Sequence, residues 1–126
     1  MIVPDVSVVL SALLNAGPAR KLLSEEYLCV PDLVDGGVAE GLRLAVADTR
    51  LTAAAASAAL DTWCRLGVHR NPSHVLLGRA WEFQQLDTTT AACVALAEAL
   101  DCSLATCDRR IAAIEGLNCP VLVLAQ

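Results

Sequence analysis

The chain opens with Ile2-Val3, continues through Pro4-Asp5-Val6-Ser7 and runs into Val8-Val9-Leu10-Ser11-Ala12-Leu13-Leu14. A β-type apolar run that merges into a helix former predicts a first strand feeding directly into a first helix. Asn15-Ala16-Gly17-Pro18 ends that helix and starts another over Ala19 to Glu26, because glycine suits the end of one helix and proline the first position of the next. Leu28-Cys29-Val30, ahead of Pro31, has the length and apolarity of a buried strand. A helix over roughly residues 32–47 follows, with Leu33, Val34, Val38, Leu42 and Val46 near 3.6 spacing. Gly36, Gly37 and Gly41 inside it each cost about 1 kcal/mol against alanine.

Thr52 is placed to cap a helix over Ala53 to Leu66, in which Leu60, Trp63 and Leu66 mark the buried stripe and Gly67 the stop. Val68-His69-Arg70 reads as a short strand, Ser73 to Gln84 as a further helix, and Thr88 to Thr90 as a loop with capping character. Ala91 to Leu100 has few polar positions, so it reads as a largely buried helix. Ser103 to Thr106 is a strand, Asp108 to Ala113 one or two helical turns, and Pro120 to Leu124 the last strand. Short strands, apolar on both faces and alternating with helices, specify an α/β sandwich: one domain over residues 1–126, with a parallel sheet covered by helices.

In such sheets ligands gather beyond the carboxyl ends of the strands, where the connections diverge. Asp5 lies at the end of the first strand and Asp108 just past Ser103–Thr106, so these two carboxylates are the leading site candidates. A pair converging at that rim holds a hard divalent cation through oxygen ligands.

Composition narrows the function. Fourteen acidic against nine basic side chains give a formal charge of −5, which argues against gripping nucleic acid by bulk electrostatics. Aromatic residues, at 3%, are too few for a base-stacking platform. No apolar run reaches the roughly 18 residues of a membrane span, and the start lacks the basic flank of a signal peptide. A cytoplasmic protein without a membrane partner is therefore expected. Cys29, Cys93 and Cys119 sit among apolar neighbours and read as small buried hydrophobes rather than disulfide partners. Cys64, His69 and His74 lack a compact paired-ligand motif for zinc.

Met1-Ile2-Val3-x-Asp5-x-Ser7-x-Val9-Leu10, Pro31-x-Leu33-Val34-Asp35, Val94-Ala95-Leu96-Ala97-Glu98-Ala99-Leu100 and Leu104-x-Thr106-x-Asp108, in this order and spacing, resemble the PIN domain family, and closely its VapC-type toxins. The resemblance covers nearly the whole chain. It implies a five-stranded parallel sheet between helices, an acidic metal site at the strand ends, magnesium-dependent (or manganese-dependent) RNA cleavage, homodimerisation and inhibition by an antitoxin.

Carried over by residue, the resemblance makes Asp5 and Asp108 catalytic, metal-binding positions, with Ser7 and Thr106 supporting them. It also implies a glutamate where this chain has Gly37 and an aspartate where it has Thr90. Two carboxylates hold a cation more weakly than four. Glu40, one helical turn after Gly37, and Asp87, three residues before Thr90, are possible substitute acids, although a solvated helix position for the one and a helix-cap or loop acid for the other suit them better. Thr90 itself offers a hydroxyl to position water. Arg109-Arg110 is placed for RNA phosphate or an antitoxin acid.

Two functions therefore compete: a ribonuclease with weakened cleavage, and a non-catalytic PIN-fold binding or dimerisation protein. A third class, the phosphoacceptor domain, also clusters acids at strand ends. It lacks support here because the only lysine, Lys21, is far from the C-terminal strand.

Overall fold

Five short runs, four of them largely apolar and the third, Val68–Asn71, mostly polar, become the strands of one sheet in a computed structural model that describes all residues, Met1–Gln126. They are β1 (Ile2–Pro4), β2 (Leu28–Pro31), β3 (Val68–Asn71), β4 (Ser103–Thr106) and β5 (Val121–Val123). All neighbours pair in parallel, in the order β3-β2-β1-β4-β5. The helices are α1 (Val6–Leu14), α2 (Pro18–Glu25), α3 (Leu33–Ala47), α4 (Ala53–Arg65), α5 (Leu77–Ala80), α6 (Thr88–Leu100) and α7 (Arg109–Ala112). Pro18 occupies the first turn of α2, and the Thr52 hydroxyl accepts the Ala55 N–H to cap α4, as the sequence predicts.

Alternate strand residues serve the two faces. Val3, Val30 and Leu104 join Val34, Val38, Trp63 and the α6 residues in the larger core, whereas Ile2, Leu28 and Ala105 pack with Val8, Ala12 and Ala19 in the smaller one. β1 is central, and Pro4 shapes its pairing. The Ile2 N–H bonds the Tyr27 carbonyl on the β2 side, so by alternation residue 4 would donate there too. Proline has no N–H, and the β1–β2 ladder is confined to Ile2↔Leu28, whereas β1–β4 runs from Ile2↔Ser103 to Pro4↔Ala105.

Two elements differ from the sequence reading. The helix expected over residues 73–84 is a 3₁₀ turn (Ser73–Leu76) followed by only the four residues of α5. Glu82, Phe83 and Leu86 then donate three residues back, to Arg79, Ala80 and Phe83, which tightens the chain into turns. Long-range anchors hold both ends of this segment: Ser73 donates to Asp32, and Arg79 to Glu98. The second difference is α6, which starts at Thr88 because the Asp87 side chain accepts the Thr90 N–H and draws residues 88–90 into the helix. Cys119, expected to be buried, is only half-buried.

A candidate acidic site at the strand ends

The strand order turns back between β1 and β4, since the chain first winds from β1 to β2 and β3 and then crosses to β4 and β5. Loops diverge at such a junction and leave a crevice at the carboxyl ends of the strands. Asp5 leaves β1 there and Asp108 follows β4.

Asp5 is 3% exposed and caps α1. Its Oδ1 accepts the Val8 N–H at 3.1 Å and the Ser7 hydroxyl at 2.5 Å, while its own N–H bonds the Ala105 carbonyl at 3.0 Å. Burial pushes its pKa up; bonds from Ser7, Thr106 and the backbone oppose that shift without cancelling it. Ser7 also reaches across the junction: its oxygen accepts the Cys107 N–H at 3.0 Å. Thr106, fully buried, accepts the Asp108 N–H at 3.0 Å. Ser7 therefore ties the end of β1 to the end of β4, and Thr106 fixes the turn that carries Asp108.

Asp108 lies nearer the surface and caps α7. Oδ1 accepts the backbone N–H and the Nε of Arg110, each at 3.0 Å, and Oδ2 accepts Nη2 at 2.8 Å. The Arg110 side chain, followed by its backbone N–H, holds the Asp108 carboxyl below the ordinary value. Arg110, placed by the sequence as a phosphate or antitoxin contact, thus folds back on the candidate carboxylate. Arg109 beside it is exposed and makes no ion pair.

Gly37 and Thr90 belong to the same corner. A Cβ on Gly37 would stand 2.6 Å from Val6 Cγ2 and 3.6 Å from Thr89 Cγ2, which places Gly37 beside the neighbours of Asp5 and Thr90. Cys93, one turn along α6 from Thr90, is fully buried. Its thiol is pushed well up by burial and then by the negative charges of Asp5 and Asp87, so both carboxylates act on this end of α6. Sequence reasoning takes Cys93 for a core hydrophobe only. Its place in the first turns of α6, after Thr90, is the available signal.

The substitute acids do not complete a cage. Glu40 is exposed on α3, and Asp87 is engaged as the α6 cap. No three His, Cys, Asp or Glu side chains converge anywhere in the molecule; Cys64, His69 and His74 are all exposed. Of the two rim carboxylates, one is desolvated and hydrogen-bonded and the other is held on both oxygens by arginine. This donor set does not fit a ready-made divalent-cation cage. No helix is long and apolar enough to cross a membrane.

A five-stranded parallel α/β domain with acids at its topological turning point is the architecture of the PIN class. Ribonuclease VapC9 of Mycobacterium tuberculosis (strain ATCC 25618 / H37Rv) is 47% identical over 127 residues, spanning 100% of both chains. Two solved structures share the fold. VapC20 of M. tuberculosis, a Sarcin-Ricin loop cleaving toxin, superposes with TM-score 0.65 at 20% identity, covering 95% of this chain and 99% of its own. VapBC2 from Rickettsia felis, bound to a DNA fragment from their promoter, gives 0.67 at 14% identity, covering 98% and 99%. No family profile matches the chain. The full-length identity to VapC9 decides the matter: the chain belongs to the VapC ribonuclease family of PIN-domain toxins.

Proposed function

We propose that this protein is a VapC-family toxin component that engages RNA and a cognate antitoxin, and whose RNA cleavage is weakened by an acidic site reduced to Asp5 and Asp108. The observation that carries this reading is the corner itself. Gly37 and Thr90 occupy the places where the family resemblance implies acids, and no third carboxylate replaces them. Phosphodiester hydrolysis by a divalent cation uses several oxygens to fix the ion and the attacking water. Here Ser7 and Thr106 hold Asp5 and the end of β4 in place, which preserves the geometry of the rim while its charge is halved.

RNA as the ligand is supported by the family and by a groove of about 370 Å³ beside Ser7, between α1 and α3, to which Ser11, Asn15 and Arg50 contribute polar groups. Antitoxin binding is supported by the Rickettsia relative, whose structure is a VapBC pair. A homodimer is supported by the exposed Val75, Leu77 and Trp81 around α5, the last 78% exposed. A reducing, cytoplasmic setting suits six cysteines that are all unpaired.

The deciding experiment is cleavage of a structured RNA by the native chain and by Asp5→Asn in magnesium and in manganese. Low native cleavage lost in Asp5→Asn is expected. Cleavage that survives Asp5→Asn removes the acidic-site reading. No native cleavage, with retained RNA or antitoxin binding, establishes the second reading, a non-catalytic binding protein, which the capture of Asp108 by Arg110 favours.

A further inference from the structure

We infer that Arg110 is the built-in counter-ion of the rim: its guanidinium takes the place of a cation at Asp108, and a divalent ion binds there only by displacing it. The inference rests on the reading of Asp108 as a site residue. Three features of the chain carry it. The pair is bidentate, Nε on Oδ1 at 3.0 Å and Nη2 on Oδ2 at 2.8 Å, so both carboxylate oxygens that would face a metal already face arginine donors. The Arg110 backbone N–H bonds the same Oδ1 at 3.0 Å, so the capping turn fixes the carboxylate that the Arg110 side chain then meets. Asp5 is buried and its Oδ1 is already engaged by the Val8 N–H and the Ser7 hydroxyl, so Asp108 is the more exposed carboxylate of the rim.

The clamp is also displaceable. The Arg110 side chain is 90% exposed, so the pair competes with water and salt, and such exposed pairs are weak. Arg110 therefore acts as a filter against divalent ions rather than a permanent block. In a site with four acids, one arginine would leave a large negative excess. In a site with two, it leaves about one. With no acid at Gly37 or Thr90, one guanidinium lying back along the surface on Asp108 offsets about half of the remaining rim charge.

The test is Mn²⁺ binding, read by electron paramagnetic resonance of the free ion, in the native chain, Arg110→Gln, Arg109→Gln and the double variant Arg110→Gln with Asp108→Asn. Arg110→Gln should tighten Mn²⁺ binding about two- to fivefold, the scale on which exposed ion pairs compete. Arg109→Gln removes the same charge from the same turn without touching the pair and should leave affinity unchanged. The gain should vanish in the double variant. No gain in Arg110→Gln, or an equal gain in Arg109→Gln, overturns the inference and leaves the proposed function standing. A gain that persists without Asp108 instead overturns Asp108 as a site residue. Circular dichroism of the exposed-site variants checks that folding is intact.

Discussion

The Ser7 hydroxyl sits between the carboxyl ends of two neighbouring strands: it donates to Asp5 Oδ1 at 2.5 Å and accepts the Cys107 N–H, 100 residues away in sequence, at 3.0 Å. One oxygen thus fixes the carboxylate that follows β1 and the backbone that follows β4. Ser7→Ala would leave a buried carboxylate short of a donor and an N–H without an acceptor. A loss of about 1–3 kcal/mol is expected in urea unfolding, most of it recovered by Ser7→Thr, which keeps the hydroxyl. An unchanged midpoint for Ser7→Ala would show that the bridge does not hold the rim together.

Asp5 makes stability depend on pH in an unusual direction for an aspartate. Its folded pKa is raised by burial above the ordinary value of 3.8, so the folded chain holds this proton more tightly than the unfolded chain. The contribution is fully present below 3.8 and is lost as pH rises through the folded value. Asp32, Asp108 and Glu98, all held below their ordinary values, run the other way and lose stability as pH falls. An asparagine in place of Asp5 keeps the cap but carries no charge, so Asp5→Asn should gain on the native chain between about pH 3 and about pH 7 in thermal melts. A difference that stays constant across that range contradicts the raised pKa.

Asp35 joins α3, α4 and β3 by accepting Trp63 Nε1 at 2.7 Å and Arg70 Nε at 2.8 Å, with Arg70 lying 5.5 Å from the Trp63 ring centroid. Trp63 is fully buried, so Asp35→Ala strands an indole N–H in the core. A cost of about 1–3 kcal/mol follows. Because Trp81 is exposed, a Trp81→Phe background isolates Trp63 fluorescence, whose emission reports whether the indole stays buried in the Asp35→Ala protein.

The strands and most helices were legible because each apolar run is bracketed by its own local signals, such as Pro18 at the start of α2 and Thr52 at the cap of α4. The segment after Ser73 was not, since its course depends on bonds to Asp32 and Glu98, which are distant in sequence. The same distinction holds at the site. Asp5 and Asp108 stand out from their order along the chain at strand ends, whereas acids at residues 37 and 90 are expected only from the family resemblance. That Arg110 lies back on Asp108 could not be read from the sequence, because the carboxylate it meets is placed by the three-dimensional course of the α7 capping turn. The sequence marks Gly37 as a costly helix residue, and only the packing of α3 against Val6 shows what that cost permits.

Restoring acids at the rim must therefore contend with that packing. A side chain at Gly37 begins 2.6 Å from Val6 Cγ2, a methyl on a stiff β-branched residue, so one of them must move. Overpacking of this kind costs about 1–3 kcal/mol, offset in part by the roughly 0.5–1 kcal/mol gained when glycine leaves a helix interior. Gly37→Glu alone should be destabilised and gain little cation binding. Val6→Ala removes the obstructing methyl, and Thr90→Asp adds an acid in the first turn of α6, where the helix dipole favours it. The triple variant Val6→Ala, Gly37→Glu, Thr90→Asp should then be less stable than Val6→Ala without divalent ions, because four carboxylates repel. It should recover stability in magnesium or manganese, and RNA cleavage should rise with that recovery. Thermal melts with and without the ion, alongside cleavage of a structured RNA, read both effects. Gly37→Glu as stable as the native chain would dismiss the close approach of Val6. A triple variant that binds the ion while cleavage stays unchanged would show that something other than the missing carboxylates limits activity.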